Sequence, residues 1–281
     1  MKKMTKRSVA TIFFIALSVL ALGAISWREL EQPGNTSAVL PGLEMQKVVA
    51  GDYNLTILIP SSLGRKYHSK QASIKRPFYI SRHEITIDQW NKCVADGGCA
   101  KQAKQRRYQT GNHPVTLVSW YDAYSFTHWL SDVSGDAYRL PTEEEWAYAA
   151  FTGNDVTKDT IEDLIQNRKM AQTATFSKFR KTRTVGANGQ NSWSITDMKG
   201  PVWEWTLTCW FSSDEENKRK WTIAELSDPD LCSNRVVQGE ERAHVPFFVD
   251  KVYSGGCGTG SPVDHIGFRV VRETGTLERF L

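Results

Sequence analysis

Residues 137–150 read AYRLPTEEEWAYAA, and this stretch decides the class of fold that the sequence predicts. Thr142 stands three residues before Glu145. At a helix start, the Thr142 hydroxyl can accept a hydrogen bond from the Glu145 N–H, and the Glu145 carboxylate can accept one from the Thr142 N–H. The same pattern occurs at two other places, Thr86 to Gln89 and Ser119 to Asp122. The sequence therefore predicts three capped helices, the second of which covers Trp120–Asp132 and is stopped by Gly135.

Short apolar or alternating runs predict the strands. They are Val48–Ile59, Pro77–Ile85, Val252–Ser254 and Phe268–Val271. Much of the remaining sequence is polar and without periodicity. Few helices, short strands and long loops indicate an α+β fold that is low in regular secondary structure, and they argue against a parallel α/β sheet.

Composition limits the classes of function. The chain has 281 residues, of which 40% are hydrophobic and 23% charged, as in ordinary globular proteins. The net charge of +4 comes from cations before residue 28, and the rest of the chain has 31 Lys and Arg against 31 Asp and Glu. A neutral body lacks the charge that sequence-independent nucleic-acid binding needs, so we expect no nucleic-acid partner.

An uncharged run of 20 residues, Ser8–Trp27, follows the basic start. At about 1.5 Å per residue this run can cross a hydrocarbon layer of about 30 Å, so residues 1–27 are predicted to hold a membrane segment over 8–27. The preceding cations place the N-terminus in the cytoplasm and the body outside. Small residues near Ala24 suit a cleaved signal peptide, whereas Trp27 suits an uncleaved signal anchor. The expected location is the cytoplasmic membrane, single-pass with a periplasmic body, or the periplasm after cleavage.

The rest of the chain is predicted to form one domain. Residues 28–45 contain two Pro and two Gly without periodicity, which is typical of a linker. The domain is predicted over 46–275 and a short tail over 276–281.

Cysteine usage fits an oxidising compartment outside the cytosol. In CVADGGC, Cys93 and Cys99 flank a Gly-Gly turn that can bring the two thiols together. Cys209 and Cys232 bracket a polar stretch that resembles a surface loop. We therefore predict the disulfides Cys93–Cys99 and Cys209–Cys232, which are one of three possible pairings of these four cysteines.

Five blocks of the sequence follow one another in a recognisable order. They read YISRHEITIDQW (79–90), HPVTLVSWYDAYSFTHWL (113–130), AYRLPTEEEWAYAA (137–150), NSWSITDMKGPVWEWT (191–206) and GFRVVRE (267–273). In order and spacing they resemble the formylglycine-generating enzyme, or sulfatase-modifying factor, family. The resemblance implies a C-type-lectin-like α+β fold, export from the cytosol and, in the type enzymes, oxygen-dependent oxidation of a substrate cysteine to formylglycine. The chain looks most similar to periplasmic relatives that are linked to pyoverdine maturation or encoded with nitrite reductases.

Charged residues in these blocks are expected to be mainly structural. Arg139 can form an ion-pair network with the helix that carries Glu143 and Glu145, because a guanidinium offers five donors. Arg269 in the last block is assigned a structural role. Asp197 is interpreted as a turn or hydrogen-bonding residue. The histidines His83 and His128 are interpreted as packing residues.

Glu204 lies between Trp203 and Trp205, which are also predicted to be structural. In the family the motif Gly-Asn-x-Trp-Glu-Trp helps to hold a calcium ion through its Asn and Glu. Here Pro201 replaces that Asn, so the resemblance implies a calcium site at Glu204 that has lost one of its oxygen ligands.

The end of the chain departs from the type enzymes, which hold copper(I) with two cysteines in a longer segment. Here CGTGSPVDHI separates Gly256 from Gly267 and contains a single cysteine, Cys257. Copper(I) is matched to thiolate ligands, so a copper site is not expected. Three interpretations of Cys257 stay open: a buried small residue, a reactive or redox thiol that would be the catalytic residue, or a metal ligand with His265.

Two functions follow from the sequence. The first is a membrane-tethered accessory or binding module, without copper-dependent formylglycine oxidase activity, that recognises an extracytoplasmic protein or small molecule. The second is an oxidase of altered mechanism that matures a peptide, protein or siderophore-like substrate. Whether the chain is an enzyme is thus left open, and in the second case it would be an oxidoreductase.

Overall fold

The computed structural model of the protein describes residues 39–61, 64–150, 181–198, 200–211, 219–239, 254–260 and 262–275. The predicted membrane segment 8–27, most of the predicted linker and the tail 276–281 lie outside the described residues. None of the helices in the described ranges has the length and apolar character that crossing a bilayer requires.

The predicted helix starts are confirmed. Within the described ranges the helices are α1 (Ile87–Ala95), α2 (Trp120–Ser134), α3 (Glu143–Ala150) and the single turn α4 (Ile223–Leu226). Thr86 and Ser119 form reciprocal capping boxes at the starts of α1 and α2. At α3, the Thr142 hydroxyl accepts from the Glu145 N–H at 3.1 Å and the Glu145 carboxylate accepts from the Thr142 N–H at 2.9 Å. Gly135 ends α2 with a left-handed φ of 76°, as predicted.

The strands of the described part form three sheets. Their bounds are β1 Met45–Val48, β2 Gly51–Ser61, β3 Gly64–Ile74, β4 Phe78–Ser81, β5 Tyr138–Arg139, β6 Trp203–Cys209, β7 Asn234–Gln238, β8 Ser254–Gly258, β9 Ile266–Gly267 and β10 Val271–Glu273. The orders are β1-β4-β10-β5, β2-β3 and β8-β7-β6-β9, and all pairs are antiparallel except β6 with β9. The last strand β10 lies between β4 and β5, which joins the two ends of the domain.

Two strand predictions were too long. The run Pro77–Ile85 forms a strand only over β4, and Phe268–Val271 is mostly irregular between β9 and β10. These two segments are joined by hydrogen bonds. The Ser81 N–H, at the end of β4, donates to Val270 O, and the Ile85 N–H donates to Phe268 O, each at 2.8 Å. An apolar run does not distinguish this pairing from a regular ladder. Likewise, Val48–Ile59 is divided between β1 and β2, and Val252–Ser254 is described only at Ser254.

The domain also begins earlier than residue 46. Leu40 and Leu43 are 0% and 4% exposed and belong to the main core cluster. The side chain of Gln89 on α1 donates to Pro41 O at 3.4 Å. The Pro and Gly residues of this segment indicated a linker, but Leu40 and Leu43 beside them pack against the domain.

The main core cluster is built on aromatic side chains. The ring centroids of Trp90 and Phe126 lie 6.0 Å apart in a stacked pair, and Phe126 meets Phe268 edge-on at 5.3 Å. A second cluster packs Trp146 of α3 against β4 and β10. Both predicted disulfides, Cys93–Cys99 and Cys209–Cys232, are confirmed, and they close the turn after α1 and join the end of β6 to the segment before β7.

Candidate functional site

A buried ion pair connects β6 to the segment between β9 and β10. The side chains of Glu204 and Arg269 are both 0% exposed, and their atoms approach to 2.5 and 2.8 Å in a bidentate contact. The indole N–H of Trp146 donates to the same carboxylate at 2.7 Å. The remaining N–H groups of this guanidinium donate to the backbone carbonyls of Ser81, Arg82 and Thr196. One guanidinium therefore joins its own segment to β6, to the end of β4 and to the loop at Thr196.

The contacts of Glu204 do not fit calcium ligation. Both carboxylate oxygens accept charge-assisted bonds from Arg269, whose positive charge would repel a cation at the same oxygens. In the ranges that the structure describes, no three His, Cys, Asp or Glu side chains are arranged to hold a metal ion. Calcium at Glu204 stays a prediction that these contacts do not support.

The two tryptophans beside Glu204 are core residues. Trp203 and Trp205 are 2% and 0% exposed. The Trp205 indole N–H donates to Val118 O at 3.0 Å, which joins β6 to the segment before α2. Their position agrees with the structural role that the sequence indicated.

Glu84 is a buried acid whose role the sequence analysis missed. It is 2% exposed, and its Oε2 atom finds no hydrogen-bond partner among the described residues. Burial, followed by the charge of Glu204, raises the pKa of Glu84 well above its ordinary range. The protonated form of Glu84 is therefore favoured relative to that of an ordinary glutamate. A lone acid inside the apolar run Pro77–Ile85 is the sequence signal that could have identified it.

Arg139 forms the second buried ion pair. It meets Glu145 of α3 in a bidentate contact of 2.6 and 2.7 Å, and its Nε donates to Glu273 of β10 at 2.9 Å. Burial alone would raise the pKa of Glu145, but the charge and hydrogen bonds of Arg139 outweigh it and lower that pKa. Glu143 is not a partner of Arg139; it is half-buried, and its backbone N–H donates to Thr208. The predicted network thus uses Glu145 and Glu273.

Asp197 organises a loop, as the sequence indicated. Its φ is +63°, and its carboxylate accepts from both the backbone and the side chain of Asn188 at 2.9 and 3.0 Å. The Thr196 hydroxyl donates to it at 2.9 Å, and the backbone N–H of Gly186 donates as well. His83 is half-buried with its ring nitrogen 3.0 Å from the Thr196 hydroxyl, whereas His128 is exposed on α2 and is not the packing residue predicted.

The segment that differs from the type enzymes, Cys257–Ile266, makes backbone hydrogen bonds to neighbouring segments. Thr259 O accepts from the Trp120 N–H at 3.1 Å, and Val263 O accepts from the Leu117 N–H at 3.2 Å. His265 O accepts from the Trp203 N–H at 2.9 Å. A Cβ added at Gly267 would lie 2.5 Å from the carbonyl oxygen of Val115, so the chain is closely packed there.

Cys257 lies in β8, and its Cα pairs with that of Arg235 in β7. The Arg235 side chain is 0% exposed and lies over the Trp120 ring, with its guanidinium carbon 4.1 Å from the ring centroid. It donates to the carbonyls of Leu207, Leu226 and Asp228. Burial lowers the pKa of Arg235 to about 10. The side chain of Cys257 lies outside the described part, so its three interpretations, including the one with His265, stay open.

The sequence profile of the sulfatase-modifying factor enzyme 1-like domain matches residues 34–274, which is most of the chain. The protein belongs to this family. The match also begins before residue 46, in agreement with the buried leucines of the first segment.

Relatives of this family member include named enzymes and a protein named as inactive. The formylglycine-generating enzyme of Thermomonospora curvata is 27% identical over 172 residues, which are 56% of this chain and 55% of that protein. The mouse protein named inactive C-alpha-formylglycine-generating enzyme 2 is 34% identical over 172 residues, 58% of this chain and 50% of that protein. The chain thus spans about half the length of these curated relatives.

A solved structure shows the same fold. PvdO from Pseudomonas aeruginosa has a TM-score of 0.59 and 22% identity to this chain, and the match covers 83% of this chain and 95% of PvdO. The mixed helix and strand architecture predicted from the sequence is therefore that of the sulfatase-modifying factor family.

Proposed function

We propose that this family member is an extracytoplasmic accessory or binding module without copper-dependent formylglycine oxidase activity. The observation that carries the proposal is the state of its cysteines. Four of the five are paired in two disulfides, so one thiol remains in the chain. A copper(I) site needs at least two soft ligands, and a second thiolate would require the reduction of a disulfide.

The backbone around Cys257 supports the same proposal. Bonds at Thr259, Val263 and His265 fasten the short connection between β8 and β9 to neighbouring segments. The segment Cys257–Ile266 is shorter than the copper-binding segment of the type enzymes. The name of the inactive mouse relative provides a precedent for loss of activity in this family. We further propose that the fold is the C-type-lectin-like variant, in which loops form the recognition surface.

The proposed function is tested with a sulfatase-type cysteine peptide, copper(I) and oxygen. The purified full chain is expected to leave the peptide thiol unchanged, while the Thermomonospora curvata enzyme, as the positive control, converts it to formylglycine. Thiol titration of the denatured, unreduced protein should find about one thiol per chain, at Cys257.

The variant Cys257→Ser separates the two candidate functions. It is expected to retain both the fold and the cellular phenotype of the wild type. Loss of the phenotype with an intact fold would favour an oxidase of altered mechanism, and copper-dependent oxidation of the peptide by the wild type would refute the proposal directly.

We propose that residues 8–27 tether the body to the cytoplasmic membrane with the domain on the outer side. The two disulfides support this location, because such bonds persist in oxidising compartments. Alkaline phosphatase fused after Leu281 should be active in an exporting bacterium, because the enzyme matures only outside the cytosol. A normally expressed but inactive fusion would contradict the topology, and the same fusion lacking residues 1–27 serves as the cytosolic control.

A further inference from the structure

Two neighbouring segments of the described chain carry cations and no acidic residue. They are residues 100–113 and 181–196, and their cations are Lys101, Lys104, Arg106, Arg107, Lys181 and Arg183. The segments are in contact, because the Gln109 side chain donates to the Thr182 hydroxyl at 3.0 Å and the Thr182 N–H donates to the Tyr108 hydroxyl at 3.3 Å. The Nζ atom of Lys181 lies 5.4 Å from the centroid of the Tyr108 ring. Positive charge is therefore concentrated here, although the chain after residue 27 is neutral as a whole.

Only part of this charge is neutralised within the described part of the chain. The Lys101 Nζ atom lies 3.1 Å from the Asp122 carboxylate, and Arg106 pairs with Asp264. The other four cations are exposed and have no ion-pair partner among the described residues; they are Lys104, Arg107, Lys181 and Arg183. We call these four residues the basic surface. Its charge is complementary to that of an anionic partner.

An apolar cavity of about 110 Å³ lies beside the basic surface. The buried residues Trp90 and Val118 line it together with Ala103. Lys101 and Lys104 also belong to its lining, which contains no acidic residue. Apolar cavities of roughly 150 Å³ can hold a benzene molecule, so this one has room for a single aliphatic side chain. Lys104 belongs to both features, which places the cavity next to the positive charge.

Hydrogen bonds fix one wall of the cavity to α1. The indole N–H of Trp90 donates to Lys101 O at 2.9 Å, and the Ala103 N–H donates to the side-chain oxygen of Asn91 at 3.2 Å. The wall is thus formed before a ligand arrives, which reduces the entropy that binding must overcome.

Leu117 in the cavity lining has a strained backbone. Its φ is +59°, in the left-handed region that bulky residues rarely adopt. Its N–H donates to Val263 O at 3.2 Å, which helps to hold this conformation. Strained positions of this kind are concentrated at functional sites, where the surrounding structure maintains them. Leu117 is therefore a second feature that indicates a binding site at the cavity.

We propose that this surface binds an acidic segment of a protein partner, with one aliphatic side chain in the cavity and the flanking carboxylates on the basic surface. Burial of the aliphatic side chain against Trp90 and Leu117 removes apolar area from water. A phosphate or a lipid headgroup offers negative charge but no aliphatic group for the cavity, so a peptide fits both features better. The inference rests on the proposed function, because it names the class of partner that the binding module recognises.

The test uses three labelled heptapeptides and the full chain in non-ionic detergent at pH 7.5, with binding measured by fluorescence anisotropy. The first peptide has one leucine between three acidic residues on either side, the second has glycine in place of the leucine, and the third has lysine in place of the six acids. The first is expected to bind with a dissociation constant on the order of 10–100 µM. The glycine peptide should bind about tenfold more weakly, because nothing fills the cavity. The lysine peptide should not bind, because like charges repel.

Three variants locate the site. Ala103→Leu fills the cavity and should weaken binding of the leucine peptide about tenfold while leaving that of the glycine peptide unchanged. Arg107→Glu should weaken binding of both acidic peptides about threefold to tenfold. The matched control Lys47→Glu changes the net charge equally at an exposed position of β1 and should have no effect. Thermal unfolding checks each fold, and the comparison of the two acidic peptides on the wild type still decides if Ala103→Leu does not fold.

Three results would overturn the proposal. They are equal binding of the leucine and glycine peptides, equal effects of Arg107→Glu and Lys47→Glu, and displacement of the leucine peptide by phosphatidylglycerol added to the micelles at constant ionic strength. The last result would identify anionic lipid as the occupant of the basic surface. These assays contain no copper and measure no formylglycine, so their failure is distinguishable from failure of the proposed function.

Discussion

Replacement of Glu204 by Gln is expected to lower the free energy of unfolding by about 3–5 kcal/mol. The substitution keeps the shape of the side chain but removes the charge opposite Arg269. Both side chains are 0% exposed, so the guanidinium would stay buried after losing the carboxylate that it contacts in a bidentate ion pair. Its N–H groups also donate to three carbonyls in two separate segments, and it cannot turn to water without breaking those bonds. A loss of this size is a large part of the total stability of a typical domain.

A surface ion pair of the same chain provides the matched control. Arg82 and Glu44 approach to 2.7 Å, but their side chains are 33% and 52% exposed. Glu44→Gln should change the free energy of unfolding by less than about 1 kcal/mol, because solvent screens such pairs. Urea unfolding of both variants at pH 7 gives the comparison. Equal small losses of unfolding free energy in the two variants would show that the buried pair stabilises the fold no more than the surface pair does.

A double variant keeps the prediction testable if Glu204→Gln does not fold. Adding Arg269→Met removes the uncompensated cation and should recover part of the lost stability or of the soluble yield. A double variant that is less stable than Glu204→Gln would mean that the carbonyl contacts of Arg269, and not its charge, dominate the cost.

Local features of the fold could be predicted from the sequence. A capping box involves atoms three residues apart, so Thr86, Ser119 and Thr142 each carry the information for their own helix start. The Cys93–Cys99 disulfide is similarly local, since the two cysteines flank a Gly-Gly turn. The long-range arrangement of the fold was predicted from the resemblance of the five sequence blocks to the family, because hydrophobic periodicity indicates only local structure.

The missed features depend on contacts between distant residues. Glu84 is next to Glu204 only because two irregular segments pair, and Glu273 meets Arg139 only because β10 lies between β4 and β5. Arg235 is buried without a carboxylate partner in the described part, because carbonyls and the Trp120 ring surround it. Neither composition nor spacing indicates that a particular charged residue will be buried among carbonyls and aromatic rings, since most charged residues are exposed.

The second large effect is expected at Arg139. Arg139→Ala should lower the free energy of unfolding by about 3–5 kcal/mol at pH 7, because it leaves Glu145 buried without its counter-ion. In the wild type, Arg139 lowers the pKa of Glu145, so this pair stabilises the fold above the unfolded-state pKa of a glutamate and loses that contribution as the pH falls through the lowered value. In the variant, only the hydrogen bonds of Thr142 oppose the effect of burial, so the pKa of Glu145 is higher than in the wild type and Glu145 becomes neutral at a higher pH.

The difference in stability between the wild type and Arg139→Ala should therefore shrink as the pH is lowered from 7 towards about 4. Urea unfolding at several pH values measures this difference directly. Arg82→Ala is the control, because it removes a guanidinium from the half-exposed pair with Glu44 and should cost less than about 1 kcal/mol. A difference between the wild type and Arg139→Ala that stays constant with pH would show that lost packing of the arginine stem, and not the stranded charge of Glu145, causes the loss.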